Sequence, residues 1–313
     1  MTQGSDATVV IACHTEDRWA ALCQAVESAQ RRTPVPAAIV VAVDHNPGLL
    51  QRIAETFPSV LVTENAHERG ASGTRNTGAR QALTSFVAFL DDDASARNTS
   101  WLAHLTEPFV DQNVVGTGGF VAPAWEGDRP NWFPDEFAWV VGASFRGLPK
   151  ERAEVRNVWS ENMAVRREVF EEVGGFRVGF GKVGNASQPE DTELCMRMGK
   201  ARKEAKWLYI PDAIVDHRVG PERAGFGFFL RRSFAEGRGK VELARFHDQS
   251  EDLDPEWNYL RRTLPSGFAR SVRSGVTSRQ LTELLRAGAI CAGVAAAGAG
   301  GAVSFARGWR DKR

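Results

Sequence analysis

Cysteine is scarce in this chain. Of 313 residues only four are cysteines, Cys13, Cys23, Cys195 and Cys291, and no two stand in CxxC spacing. That argues against a disulfide framework, and their mostly apolar settings suit reduced thiols packed as small core residues in a cytosolic setting. Net charge is missing as well. Lysine plus arginine number 39 and aspartate plus glutamate number 39, so no overall basic field marks nucleic acid as the partner. The N-terminal "MTQGSDATVV" has no basic stretch leading into a long apolar run, so a signal peptide is not expected. Internal repeats and low-complexity linkers are absent before residue 287. What remains is ordinary globular composition, 42% hydrophobic and 25% charged, in which function must come from local sites.

One uncharged run stands out. Ala287 to Ala306, "AGAICAGVAAAGAGGAVSFA", lies between Arg286 and the basic tail "RGWRDKR". It is long enough to span a bilayer. Its apolar content is mostly alanine and glycine, however, with Ile290, Val294, Val303 and Phe305 as the main large side chains, so insertion would gain little. We read it as an interfacial or protein-packed hairpin, with a transmembrane span as the alternative. Its basic end suits an anionic cytoplasmic leaflet.

The first half alternates short apolar runs with helical stretches, the pattern of a mostly parallel sheet flanked by helices. "ATVVIAC" (Ala7 to Cys13), "AAIVVAV" (Ala37 to Val43), "SVLVT" (Ser59 to Thr63) and "FVAFL" read as strands. Two of them end in acid, at Asp44 and at Asp91, Asp92 and Asp93, which should therefore share the carboxyl edge of the sheet, where ligands bind in open α/β folds. Further on, "RREVFEEVGGF" and "EDTELCMRMG" read as helices, the second with Pro189 just ahead and acid in its first turn. "KWLYIPDAIVDH" returns as a strand.

Three carboxylates packed at a strand end repel one another and call for positive charge. Asp91 and Asp93, at alternate positions, can reach one hard divalent cation from the same side; the bland alternative is a solvated turn. The wider string "HERGASGTRNTGARQALTSFVAFLDDDA" resembles the segment of family 2 glycosyltransferases of GT-A fold in which a glycine-rich helix containing Arg-Asn precedes the DxD strand. "VVIACHTED" looks like the first nucleotide-binding strand and loop, and "VVAVDHN" like the strand whose aspartate reads the base. "NMAVRREVFEEVGGF" and "EDTELCMR" are similar to the segments that line the acceptor side and carry the catalytic Glu-Asp pair. The resemblance covers about Ala7 to Lys240 and stops short of the apolar tail.

The resemblance implies a Rossmann-like GT-A domain over about 1–246, with a nucleotide-binding part to about 121 and an acceptor and catalytic part from about 122, followed by a helical region over 247–313. It implies that Thr15, Glu16, Asp44, Arg69, Arg75, Asp91 and Asp92 bind the nucleotide sugar, a UDP-sugar. Asp93, Asp91 and His217 would hold Mn²⁺ or Mg²⁺, with Asp92 able to substitute in a slightly rotated turn. Asp191 would be the general base of an inverting transfer and Glu190 would orient it or bind the acceptor. Without the resemblance, Glu190 and Asp191 read as acids that favour a helix N-terminus, and His217 as a structural histidine.

Trp125, Trp132 and Trp139, with Asn162, are expected to line the acceptor, although core packing accounts for aromatics equally well. Arg231 and Arg232, within "RRSFAEGRGK", either bind phosphate or form the solvated face of an amphipathic helix. No QxxRW motif follows the Glu-Asp pair, so a processive synthase is not expected. The strings "GASFRGLP" and "WSENMAVRR" are similar to a subgroup that includes glucuronosyltransferases acting on lipid-phosphate-linked sugars. The expectation is a single-sugar transferase acting on a hydroxyl acceptor, a lipid-linked sugar, a polysaccharide or a small molecule, working in the cytoplasm or peripherally on the inner face of the membrane. The rivals are a non-catalytic nucleotide-sugar or glycan-binding module, and a sugar-1-phosphate nucleotidyltransferase, whose glycine-rich N-terminal signature is lacking.

Overall fold

The computed structural model describes residues 5–179, 182–183, 186–187, 189–246 and 254–310. These fall into two compact units, one from residues 1–122 and 149–217, the other from 123–148 and 218–313.

In the first unit the apolar runs form the strands that their composition predicts. Strands β1 (Ser5–Cys13), β2 (Pro36–Val43), β3 (Leu61–Glu64) and β4 (Phe86–Asp91) are parallel. They are joined by helices α1 (Trp19–Gln30), α2 (Pro47–Thr56) and α3 (Ala71–Ala79). Then follow β5 (Ala94–Ala96), α4 (Trp101–Thr106), β6 (Val114–Trp125), β7 (Ala153–Val155), β8 (Asn162–Arg166), α5 (Arg167–Glu172), a small pair β9 (Lys182–Val183) and β10 (Ala186–Ser187), α6 (Glu190–Ala201) and β11 (Lys206–Val219). The sheet runs β3-β2-β1-β4-β8-β6-β11-β5, with β7 on β11. Strand β8 is antiparallel to both β4 and β6, so the parallel order of the first half gives way to a mixed second half.

Side chains alternate across this sheet as the period of two requires. Val9, Ile11, Val41, Val43, Ala88 and Leu90 pack on one face with Leu22, Leu49 and Trp101. Val10, Val40, Val87 and Phe89 pack on the other with Met163, Phe170, Phe176 and Leu194. Register then places the acids. Ala12 pairs with Asp91 and Cys13 with Val43, one residue before Asp44, so both acids stand on the carboxyl edge as expected.

Helix α3 is buried from Ser72 to Ala79 and lies almost against the sheet. Gly78 permits this, because a Cβ there would stand 2.5 Å from Val10 Cγ1. Two positive-φ glycines, Gly174 and Gly175, end the turn after α5 as their sequence position predicts.

The second unit is helical, with α7 (Phe226–Phe246), α8 (Asp254–Asn258), a π-helical turn at Tyr259–Thr263, α9 (Leu264–Thr277) and α10 (Leu281–Arg310). Its core gathers Phe133, Phe137, Phe229, Leu264 and Ile290. The expected hairpin over 287–306 is corrected here: those residues are one continuous stretch of α10. Alanine is the best helix former and outweighs the glycines, of which Gly293 and Gly300 serve close packing. A Cβ at Gly300 would stand 2.0 Å from the Phe234 carbonyl oxygen of α7, and one at Gly237 of α7 would stand 1.9 Å from that of Ala297. Leu281–Ala306 is long and apolar enough to cross a membrane by length and composition alone.

Candidate active site

The site lies in the first unit and is built around acids that the sheet edge brings together. Asp44, just past β2, accepts from Asn65 Nδ2 at 2.7 Å and from the Gly70 backbone N–H at 3.0 Å, and its Oδ1 lies 2.9 Å from His45 Nδ1. Burial raises its pKa, but the bonds from Asn65, His45 and Gly70 outweigh burial and hold it below the ordinary carboxylate value. Asp44 thus stays ionised and fixed, joining the end of β2 to the turn before α3.

Arg75, buried on α3, is the second anchor. Its Nη2 donates to Asp91 Oδ1 at 2.7 Å, and its Nη1 lies 3.5 Å from Glu190 Oε1. Burial opposes its charge, and Asp91, Asp191 and Glu190 more than restore it, so its pKa is raised. One guanidinium on α3 therefore joins the end of β4 to the start of α6, reaching a glutamate 115 residues further along the chain than Arg75 itself.

Arg18, which the sequence reading did not single out, is the third. It follows the loop after β1, and its Nη1 stands 2.9 Å from Asp92 Oδ1 and 2.9 Å from Asp93 Oδ2. Part of the positive charge that the aspartate triplet demands therefore comes from within the chain. Asp92 is pushed up to about 7, by burial first and by Asp93 and Asp91, against the opposing pull of Arg18. Its Oδ2 is buried without a hydrogen-bond partner among the described residues.

Glu190 and Asp191 open α6, as the Pro189 signal predicts. Both have raised pKa values, Glu190 to about 8, with burial the leading cause in each case and Arg75 pulling against it. Asp191 accepts hydrogen bonds from the side chain and backbone of Ser160. Its Oδ1 makes none among the described residues. Glu161 is a further acid that sequence reasoning missed. It directly precedes β8, where Asn162 pairs with Leu90, so it stands across from Asp91. Burial raises it to about 8; His217 pulls the other way, while Asp91, Asp191 and Asp93 add to the rise. The only signal in sequence is its place before Asn162, which is indistinguishable from an ordinary loop acid.

Thr15 caps the turn Glu16–Arg18 by accepting from Asp17 N at 3.2 Å. Glu16 pairs with Arg52 at 3.0 Å. Arg69 is exposed and donates to the His45 carbonyl at 3.2 Å. Asn162 does not face an open surface: it donates to Phe120 O and Ala213 O and accepts from Trp101 Nε1, binding three strands and α4 together inside the core. Trp125, Trp132, Trp139, Arg231 and Arg232 belong to the second unit. There Trp125 and Trp132 pack on Phe133, Trp139 Nε1 donates to Tyr259 Oη at 3.0 Å, and Arg232 pairs with Glu236 at 3.2 Å.

The donor set suits a hard or borderline divalent cation. Asp93 Oδ1 and His217 Nε2 converge to 3.2 Å in a nearly buried setting, with the orphan oxygen of Asp92 on the residue before. Among the described residues no three His, Cys, Asp or Glu side chains converge as a complete shell. The fit is therefore one of donor chemistry and of two converging groups, with Arg18 between Asp92 and Asp93.

A family model described as Glycosyl transferase family 2 matches residues 8–174, more than half of the chain. The chain belongs to glycosyl transferase family 2. A glucosyl-dolichyl phosphate glucuronosyltransferase of Haloferax volcanii is 31% identical over 250 residues, 78% of this chain and 79% of that protein. A pre-mycofactocin glycosyltransferase of Mycobacterium tuberculosis is 30% identical over 197 residues, 62% of this chain and 39% of that one. The solved structure of the mannosyltransferase PcManGT from Pyrobaculum calidifontis, in complex with GDP-Man and Mn²⁺, matches with a TM-score of 0.60 at 17% identity, over 95% of this chain and 87% of that one. That likeness is one of fold. This family 2 glycosyltransferase has the GT-A fold that its sequence resembles.

Proposed function

We propose that this glycosyltransferase moves one sugar from a nucleotide sugar, a UDP-sugar, to a hydroxyl of a lipid-linked acceptor, with inversion at the anomeric carbon. The observation that carries the reading is the Arg75 bridge, which brings Asp91 at the end of β4 and the Glu190-Asp191 pair of α6 into one cluster. Asp44, ionised and braced, suits a base-recognising acceptor of hydrogen bonds. Asp91 and Asp92 suit the ribose and nucleotide, with Thr15, Glu16 and Arg69 on loops of the same sheet edge.

Asp191 is the base in this reading. Glu193, further along the same helix, is already tied to Arg177 and Arg197. The Oδ1 of Asp191 has no hydrogen-bond partner among the described residues, while Ser160 orients the carboxylate. That leaves one oxygen to take the acceptor hydroxyl's proton as the hydroxyl oxygen attacks the sugar. Glu190, held by Arg75, orients the pair or meets the acceptor. Asp93 and His217 would hold Mn²⁺ or Mg²⁺, with Asp91 or Asp92 completing the protein's share. When bound, the ion supplies positive charge to the leaving diphosphate.

The lipid-linked acceptor is supported by the name of the Haloferax volcanii relative. It would place the work at the cytoplasmic face of a membrane, with the chain attached peripherally. Soluble natural-product and polysaccharide acceptors are the other substrates to test. The deciding experiment screens UDP-, GDP- and dTDP-sugars for binding and slow hydrolysis with Mn²⁺ and again with EDTA. A UDP-sugar that binds and turns over only with the cation supports the reading. Binding without turnover under any condition points to a glycan-binding module, and turnover that EDTA and Asp93→Ala both leave unchanged removes the metal.

A further inference from the structure

Between Trp257 and Thr282 the chain carries five arginines, Arg261, Arg262, Arg270, Arg273 and Arg279, and no aspartate or glutamate. In a protein of zero formal net charge this is a marked local imbalance, and the structure shows how it is displayed. Helix α9 buries Leu264, Gly267, Ser271 and Gly275 along one side. Those small residues let α9 press close to its neighbours: a Cβ at Gly267 would stand 2.7 Å from Glu136, and one at Gly275 would stand 2.6 Å from Leu284 of α10. The adjacent side of α9 is apolar and uncovered. Pro265, Phe268, Val272 and Val276 recur at spacings of three and four residues, which puts them on one helical stripe. Phe268 is 41% and Val276 66% exposed, and just ahead of the helix Trp257 is 49% and Leu260 45% exposed.

The arginines frame this stripe. Arg270 is engaged with Glu136, and Arg261 lies 4.8 Å over the Trp257 ring. Arg262, Arg273 and Arg279 have no ion-pair partner among the described residues. A solvated helix face would carry both signs of charge and few large apolar groups. A protein partner would meet the apolar stripe, but it would not explain why every acid is excluded over the whole stretch. An apolar strip with tryptophan at one end and unpaired arginines beside it matches the headgroup boundary of an anionic bilayer, where apolar groups enter the acyl region and cations meet lipid phosphates.

We propose that α9, with the turns that flank it, is the surface by which this protein docks on an anionic membrane, lying in the interface through Trp257, Leu260, Phe268 and Val276 while Arg262, Arg273 and Arg279 bind lipid phosphates. The inference moves the membrane contact from the alanine-rich run 287–306 to a helix earlier in the chain. It rests on the lipid-acceptor reading for its purpose, but it is tested without sugar transfer.

The full chain is mixed with phosphatidylglycerol-containing vesicles and with pure phosphatidylcholine vesicles, and floated at low and at high salt. The expected result is flotation with the anionic vesicles alone, weakened by salt. Phe268→Asp/Val276→Asp and Arg262→Gln/Arg273→Gln/Arg279→Gln should each lower the bound fraction by about tenfold or more. The circular dichroism spectrum and nucleotide-sugar binding should be unchanged. A chain that ends after Arg279, lacking α10, tests fold and membrane contact less cleanly, so Val294→Asp/Val303→Asp on α10 serves as the comparison and should float like the unmodified protein. Failure of the unmodified protein to float overturns the proposal, as does undiminished flotation of the α9 variants or loss confined to the α10 variant. If the α9 variants instead convert a dimer to a monomer in sedimentation and vesicles are ignored, a second copy covers the face and the lipid occupant is wrong. Nucleotide-sugar hydrolysis, measured without vesicles, reports separately on the transferase reading.

Discussion

In the proposed mechanism, substitution of Asp191 should separate chemistry from binding. Its contacts are to Ser160 and, through charge, to Arg75 and Asp91, while the nucleotide contacts proposed above belong to Asp44, Asp91 and Asp92. Asp191→Asn keeps the size and removes the proposed base, so turnover should fall by about 10²–10⁴-fold while the donor dissociation constant shifts little. Donor titration paired with single-turnover transfer checks this, and near-normal turnover would leave only the helix N-terminus reading of "PEDTEL". Glu190→Gln should mix acceptor-affinity and rate defects, because it also removes the charge facing Arg75. Asp44, the aspartate triplet and the Glu-Asp pair could be picked out as candidates in the sequence because they end or begin elements, whereas His217, which the sequence places at the end of a strand, lies within β11, paired with Ala94. Arg18 and Glu161 could not be picked out. What makes them notable is what they face across the sheet, and nothing in "TEDRWA" or "WSENMA" records that. Asn162 shows the converse: an amide that reads as a ligand contact is enclosed by Trp101, Phe120 and Ala213.

At the scale of elements, the four parallel strands were readable as short apolar runs, whereas β5 to β8 were not, β6 lying in a glycine-rich stretch that gives no strand signal. The antiparallel entry of β8 between β4 and β6 was not, since pairing order depends on contacts that no local pattern specifies. Nor was the continuity of α10, where Gly300 is placed against the backbone of α7 and Gly237 of α7 against the backbone of α10. That placement gives a test. Gly237→Ala puts a Cβ 1.9 Å from the Ala297 carbonyl oxygen, a contact that cannot persist, so α7 and α10 must separate. Overpacking of this kind costs about 1–3 kcal/mol, and chemical denaturation should show it as a lower midpoint. Gly298→Ala, where a Cβ would meet nothing within 4 Å, is the control and should leave the midpoint unchanged or raise it through helix propensity. Equal loss in both variants would mean that the helix contact is not the cause.

Across the whole molecule the charges cancel, 39 against 39, and that balance conceals a local excess of acid that should govern how stability depends on pH. Asp92 is raised to about 7, and Glu161 and Glu190 to about 8, with burial the first cause in each. An acid whose folded pKa lies above its unfolded value holds a proton in the folded state that the unfolded chain has released. The linkage slope is then negative: the contribution of these groups is complete below their unfolded pKa, about 4, and is lost as pH rises through the folded values. The protein without ligand should therefore lose thermal stability between about pH 5 and pH 8, in the range where most soluble proteins are near their maximum. Glu161→Gln removes one of the three acids without changing its shape, and should raise the melting temperature at pH 8 while leaving it nearly unchanged at pH 5. Differential scanning fluorimetry of both proteins across that range decides the matter. Parallel curves would show that Glu161 is not held protonated by its surroundings, whereas a flattened curve in the variant would show that the acidic cluster is strained until positive charge meets it.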